Sequence, residues 1–216
     1  LAAPRKFAKS TYMSEYYPLF FALERPGSTI TLISASHTMA CEWIDKIRQA
    51  LDSSSSLRDF YGEQSPKMKN ESGKWTEDEL HLLCGSVIRG RGAGQQIRGQ
   101  ENHLIVVDDA ETNETAASSE HTTSLLKWLK ADVIGSTMPW SQVIVVGTIL
   151  HPDSVLNRLI LAPPTDDWIT RKYIAQQPDG SSLCGDMWSA EYLKKRSQEI
   201  GDLLFEQEYQ NNPIHD

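Results

Sequence analysis

Apolar and polar positions alternate along this chain in two rhythms. Short continuous apolar runs, "TITLISA" (29–35), "HLIVV" (103–107) and "SQVIVVGTIL" (141–150), have the length and β-branched content of buried strands. Between them lie segments of helical period. Ser10 to Leu23 reads as a helix rich in aromatic and apolar residues, broken by Pro26-Gly27. Ser36 is placed to cap a second helix from His37 to Leu51, with Met39, Trp43, Ile44 and Ile47 at helical spacing. The polar run "DSSSSLRD" is expected to be a loop, and Trp75 to Ile88 a pair of short strands joined by a turn. "GRGAGQQIRG" reads as a glycine-rich loop carrying Arg91 and Arg98, with Arg89 just ahead of it. Ser118 to Lys130 and "HPDSVLNRLI" are predicted helices, Trp168 to Ala175 a last strand, and Ser189 to Tyr209 one or two amphipathic helices ending at Asn212-Pro213. Apolar strands alternating with helices predict an α/β fold with a mostly parallel sheet flanked by helices. The character of the chain changes at Pro163, which divides it into a core (1–162) and a C-terminal subdomain (163–216).

Composition narrows this picture. The chain has 216 residues, 39% of them hydrophobic and 23% charged, enough for a sizeable core. The net charge of −8 disfavours a protein that grips a long nucleic-acid backbone unaided, so any DNA contact should be local or shared. Three widely spaced cysteines, Cys41, Cys84 and Cys184, argue against a disulfide framework or a cysteine-rich zinc site. No apolar run is long enough to span a bilayer, so no membrane partner is expected.

Three stretches carry candidate chemistry. The first is "APRKFAKST". A phosphate-binding loop needs small residues where backbone N–H groups approach phosphate oxygens, a Lys for the terminal phosphates and a hydroxyl for Mg²⁺, ahead of a helix. Ala3, Ala8, Lys9, Ser10 and Thr11 supply these, with alanine at both glycine positions; a plain basic helix start is the competing reading. The second is "LIVVDDAE", an apolar strand ending in acids. Asp108 is suited to orient Mg²⁺, and Asp109 or Glu111 to polarise an attacking water. The third is the strand end Gly147-Thr148, which would bring a hydroxyl to the same sheet edge.

Taken in this order, "APRKFAKST", "GRGAGQQIRG", "LIVVDDAE", "VIVVGT" and "LLFEQEYQNNP" resemble the ATPase domain of the large terminase subunit of tailed bacteriophages. The resemblance runs from Ala3 to Pro213. It implies a P-loop NTPase fold of RecA-like type with a small C-terminal helical linker subdomain. It also implies ATP and Mg²⁺ as cofactors, and a motor that drives double-stranded DNA into a procapsid. Implied partners are the portal protein, the small terminase subunit and further copies of the chain in a ring, in the host cytoplasm. Pro4, Arg5, Lys6, Phe7, Ala8, Lys9, Ser10 and Thr11 would form the nucleotide loop. Lys9 would hold the β- and γ-phosphates, Arg5 would lie near the γ-phosphate, and Ser10 with Asp108 would hold the metal. Asp109 stands where the family has its catalytic Glu, Thr148 in the motif that couples hydrolysis to movement, and Arg98 where some members present an arginine finger to a neighbour. The family's leading strand is largely missing and its C-terminal nuclease absent, which suggests the motor half of a longer protein. Two other readings stay open: a helicase-like ATPase, and an interaction module that turns over no ATP.

Overall fold

The structure is a computed structural model and describes residues 1–66, 74–97, 99 and 101–214. It is an α/β fold with a five-stranded sheet in the order β2-β3-β1-β4-β5. The strands are β1 (Thr29–Ser34), β2 (Glu79–His81), β3 (Val87–Gly92), β4 (Leu104–Asp108) and β5 (Gln142–Val146). β1 runs parallel to β3 (Thr29 opposite Val87) and to β4 (Ile30 opposite Leu104), and β2 is an antiparallel edge. β4 is buried at every position and β1 at all but its first, as central parallel strands covered on both faces must be.

Contacts group the chain into two compact units, residues 10–110 with 127–144, and residues 1–9 with 111–126 and 145–216. Residue 163, where the composition changes, lies inside the second of these.

In the unit of residues 10–110 and 127–144, a π-helical turn Thr11–Tyr16 runs into α1 (Tyr17–Glu24). Pro18 accounts for the wide turn. It has no N–H for the carbonyl four residues back, and its ring would crowd that carbonyl; Tyr17 N–H reaches Tyr12 O instead. α2 (His37–Ser53) is capped as expected by the Ser36 side chain, which accepts from Met39 N–H, and buries Ala40, Ile44, Ile47 and Leu51. The run expected to be a loop forms α3 (Ser55–Tyr61). Ser54 accepts the Leu57 N–H, so a serine in the polar run starts a helix rather than interrupting one. The front of the expected glycine-rich loop is likewise strand β3. Its glycines are required by close packing: a Cβ at Gly92 would sit 2.8 Å from the His37 nitrogen, and one at Gly90 would sit 3.3 Å from Ala40. Arg89 and Arg91 face the other way and pair with Glu79 and Asp78, so they are engaged structurally within the sheet.

The other unit holds the chain start and the C-terminal helices. Ala2 bridges in parallel to both Gly147 and Lys172. The Leu1 ammonium donates to Val145 O at 2.7 Å and Ala3 N–H to Gly147 O at 3.0 Å. Around Lys172 the expected last strand is a single bridge, not an extended ladder. α4 (Asn113–Ala116), α5 (Ser119–Trp128) and α6 (Val155–Leu161) precede it in the chain. The expected C-terminal helix is two, α7 (Ala190–Ile200) and α8 (Asp202–Gln210), parted by Gly201 at φ 83°. Ala175, Leu193, Phe205 and Tyr209 form its buried core, with Phe7 and Trp188 packed on it.

Candidate functional site

Within the unit of residues 10–110 and 127–144, the helix that begins after Lys9 faces the end of β4. Ser10 and Ser14, four residues apart, fall on one face of that helix, and both hydroxyls donate to the carboxylate that ends β4. Ser10 Oγ lies 3.1 Å from Asp108 Oδ1, and Ser14 Oγ lies 2.6 Å from Asp108 Oδ2. Asp108 is 2% exposed. Two hydroxyl donors fix the orientation of this buried carboxylate. The next residue, Asp109, adopts a left-handed backbone at φ 44°, which Asp accommodates more readily than most side chains. It is half-buried, and this bend turns the chain out of the sheet directly after Asp108.

In the unit of residues 1–9, 111–126 and 145–216, the candidate loop has a backbone peculiarity of its own. Lys6 and Ala8 both have positive φ, 65° and 56°. For residues with a Cβ this costs roughly 1–2 kcal/mol each. Ala8 stands at the second glycine position of the loop pattern, so the backbone adopts the form a glycine would favour and the side chain resists it. Successive turns of this kind point N–H groups into one concavity, the geometry that binds anions.

The loop is tied down from behind. Pro4 is buried, Phe7 stacks on Trp188 with centroids 5.7 Å apart, and Arg5 N–H donates to Glu208 O at 2.8 Å. The Arg5 guanidinium pairs with the buried Glu208 carboxylate at 3.2 Å. Lys6 is exposed, Lys9 and Thr11 half-buried. Thr148, buried, donates its hydroxyl to Ala3 O at 3.4 Å, at the start of the loop. Asn211 completes the support. It is fully buried and left-handed at the end of α8; its side chain accepts Ile149 N–H and donates to Tyr173 O, each at 2.8 Å.

Glu111 is held differently from the Asp pair. Thr122 donates to its Oε1 at 3.0 Å, and the Val155 N–H to its Oε2 at 2.7 Å. Burial raises its pKa, with these two donors opposing the shift. Both oxygens therefore serve α5 and the first turn of α6. Arg98 lies outside the described residues.

Of the residues expected from sequence, the structure brings together Ser10 with Asp108, Ala3 with Thr148, and Arg5 with α8. It adds Ser14, Glu208 and Asn211. The last two sit in the closing "FEQEYQNNP", whose likeness to the family was the only available signal. Ser14 carried none, being a lone serine in an aromatic-rich helix.

This is an α/β fold built on a mostly parallel five-stranded sheet. No protein-family model matches the sequence, and no curated protein matches it. Solved structures do. The chain is similar to the large terminase ATPase domain of Thermus phage P74-26, with a TM-score of 0.53, 16% identity and coverage of 99% of this chain and 87% of that one. A point mutant of the same domain gives 0.56 at 14% identity, with the same coverage. The HK97 bacteriophage large terminase gives 0.65 at 14% identity; this chain is covered over 99% of its length and spans 46% of that protein. The fold of phage large terminase ATPase domains is thus the fold of this chain.

Proposed function

We propose that this chain is the ATP-hydrolysing motor domain of a viral DNA-packaging terminase. The observation that carries the reading is the Ser10 hydroxyl on the buried Asp108 carboxylate, in a helix led by "APRKFAKS". A phosphate loop and an acidic strand are far apart in sequence, and a plain basic helix start has no need of that hydrogen bond.

The residues suit ATP with Mg²⁺. Magnesium is commonly held by one or two carboxylates, a hydroxyl and substrate phosphates rather than by a protein cage. Asp108 and Ser10 are such a donor set. When bound, the ion would neutralise charge on the β- and γ-phosphates. The loop N–H groups would take the phosphate oxygens and Lys9 the terminal charge. Asp109 would accept the proton of the water attacking the γ-phosphorus. Asp109 directly follows Asp108 at the strand end, whereas both oxygens of Glu111 are taken up by Thr122 and the Val155 N–H, so we assign Asp109 as the base. Arg5, held at rest by Glu208, and Arg98 from a neighbouring copy would counter charge in the transition state. Thr148 would transmit the state of the loop through its hydrogen bond to Ala3. Double-stranded DNA is the proposed cargo. The portal protein, the small terminase subunit and a ring of identical chains on the procapsid are the proposed partners, with the host cytoplasm as the setting. At a net charge of −8 the DNA contact would be local or shared with another domain.

Lys9→Ala in the full-length protein tests this. ATP turnover should fall to background while the protein stays folded. Undiminished turnover would remove the phosphate-loop assignment.

A further inference from the structure

The Asp108 carboxylate receives two hydroxyls, and only one belongs to the loop pattern. Ser10 is the hydroxyl that a phosphate loop supplies. Ser14 lies one helical turn further on, outside any motif, yet makes the shorter bond, 2.6 Å against 3.1 Å. A hydroxyl bond to a carboxylate at that length belongs to the strong, charge-assisted class. Ser14 is 1% exposed, whereas Ser10 is half-buried. A serine inside a helix ordinarily turns its hydroxyl back to the carbonyl four residues earlier or out to water. Here it points across to β4, and the π-helical turn Thr11–Tyr16, widened ahead of Pro18, surrounds it.

The two hydroxyls can thus divide their work. Ser10, more accessible and more loosely bonded to Oδ1, is free to exchange Asp108 for a cation. Ser14 has no such access. Its bond to Oδ2 fixes the rotation of the carboxylate and leaves Oδ1 facing the position Ser10 occupies. We propose that Ser14 is a positioning residue for the metal site: it orients Asp108 so that Mg²⁺ is bound in one geometry. This rests on the ATPase reading above and names a residue that the reading does not use.

The test is calorimetric titration of the full-length protein with a non-hydrolysable ATP analogue, with and without Mg²⁺, for the wild type and for Ser14→Ala, Ser14→Thr and Ser14→Val. Loss of an outer-shell partner of this kind typically weakens metal affinity by roughly 10–100-fold. Ser14→Ala should raise the Mg²⁺ concentration needed for tight analogue binding by about tenfold, at the low end of that range. Metal-free analogue binding should change little. Ser14→Thr should restore the wild-type Mg²⁺ dependence and Ser14→Val should not. Thr and Val are of equal size, so this pair isolates the hydroxyl even where Ala disturbs the fold. An unchanged Mg²⁺ dependence in both Ala and Val variants overturns the proposal. So does an equal weakening with and without Mg²⁺ accompanied by a lower melting temperature, which marks a role in folding only. A wild type that binds the analogue without regard to Mg²⁺ refutes the ATPase reading itself, a result distinct from either.

Discussion

The loop 1–9 and strand β4 are built in opposite ways. β4 has five buried positions filled by "LIVVD", and its four apolar side chains meet ordinary parallel neighbours. Burying each contributes roughly 1.5–3 kcal/mol, so packing alone holds this strand and brings Asp108 to its end. The loop has no comparable run. It holds Lys6 and Ala8 in left-handed backbone against their own side chains, and depends on distant residues to stay there: Trp188 under Phe7, Glu208 under Arg5, Gly147 beside Ala3. Strain that persists because its surroundings enforce it is a common property of binding loops. The acid is placed by its own segment, and the loop is placed by the end of the chain.

If that contrast is right, the largest effect comes from removing the loop's support. Asn211→Ala deprives the buried Ile149 N–H of its acceptor and the Tyr173 carbonyl of a donor, and puts a left-handed alanine at the end of α8. The orphaned buried N–H costs roughly 1–3 kcal/mol and the left-handed alanine roughly 1–2 kcal/mol, so we expect a loss of about 2–4 kcal/mol in denaturant unfolding. A change of under half a kcal/mol would show that α8 does not brace the unit.

Next in size is relief of the strain itself. Ala8→Gly gives the backbone the residue that its φ of 56° favours. Stability should rise by about 1 kcal/mol. For a chain of this length that is a melting temperature higher by about 2–4 °C. A lower melting temperature would mean that the alanine conformation is not strained in the folded protein.

The smallest effect separates two acids that follow the same strand. The carboxyl of Glu111 is raised above its ordinary pKa of 4.5, chiefly by burial. The folded state therefore binds the proton more tightly than the unfolded state does. The ionised form carries a penalty above the folded pKa, and the penalty is relieved as pH falls through that value toward 4.5. Glu111→Gln should flatten the stability–pH profile in that window. An unchanged profile would show that Glu111 ionises there without cost.

What could be read from the sequence follows the same division. β1, β4, α2 and the Ser36 cap are local matters of apolar run, period and side-chain cap, and the structure has them where the pattern puts them. α3 was hidden because a serine run looks like a loop until one serine is seen to cap a helix. β3 was hidden because its glycines serve the approach of α2, a contact no neighbouring residue announces. At the site, Ser10 and Asp108 were legible through motif chemistry. Ser14, Glu208 and Asn211 act on partners 38 to 203 positions away, since Ser14 meets Asp108 at 94, Asn211 meets Tyr173 at 38, and Arg5 meets Glu208 at 208 − 5 = 203. Only folding brings such pairs together.

The most direct test of the central claim is a crystal structure of the chain with Mg²⁺ and a non-hydrolysable ATP analogue. The account predicts the phosphates within hydrogen-bonding distance of the loop N–H groups and the Lys9 ammonium, and the metal on Ser10 Oγ with Asp108 directly or one water away. An analogue bound elsewhere, or bound at the loop with no metal beside Asp108, would contradict it.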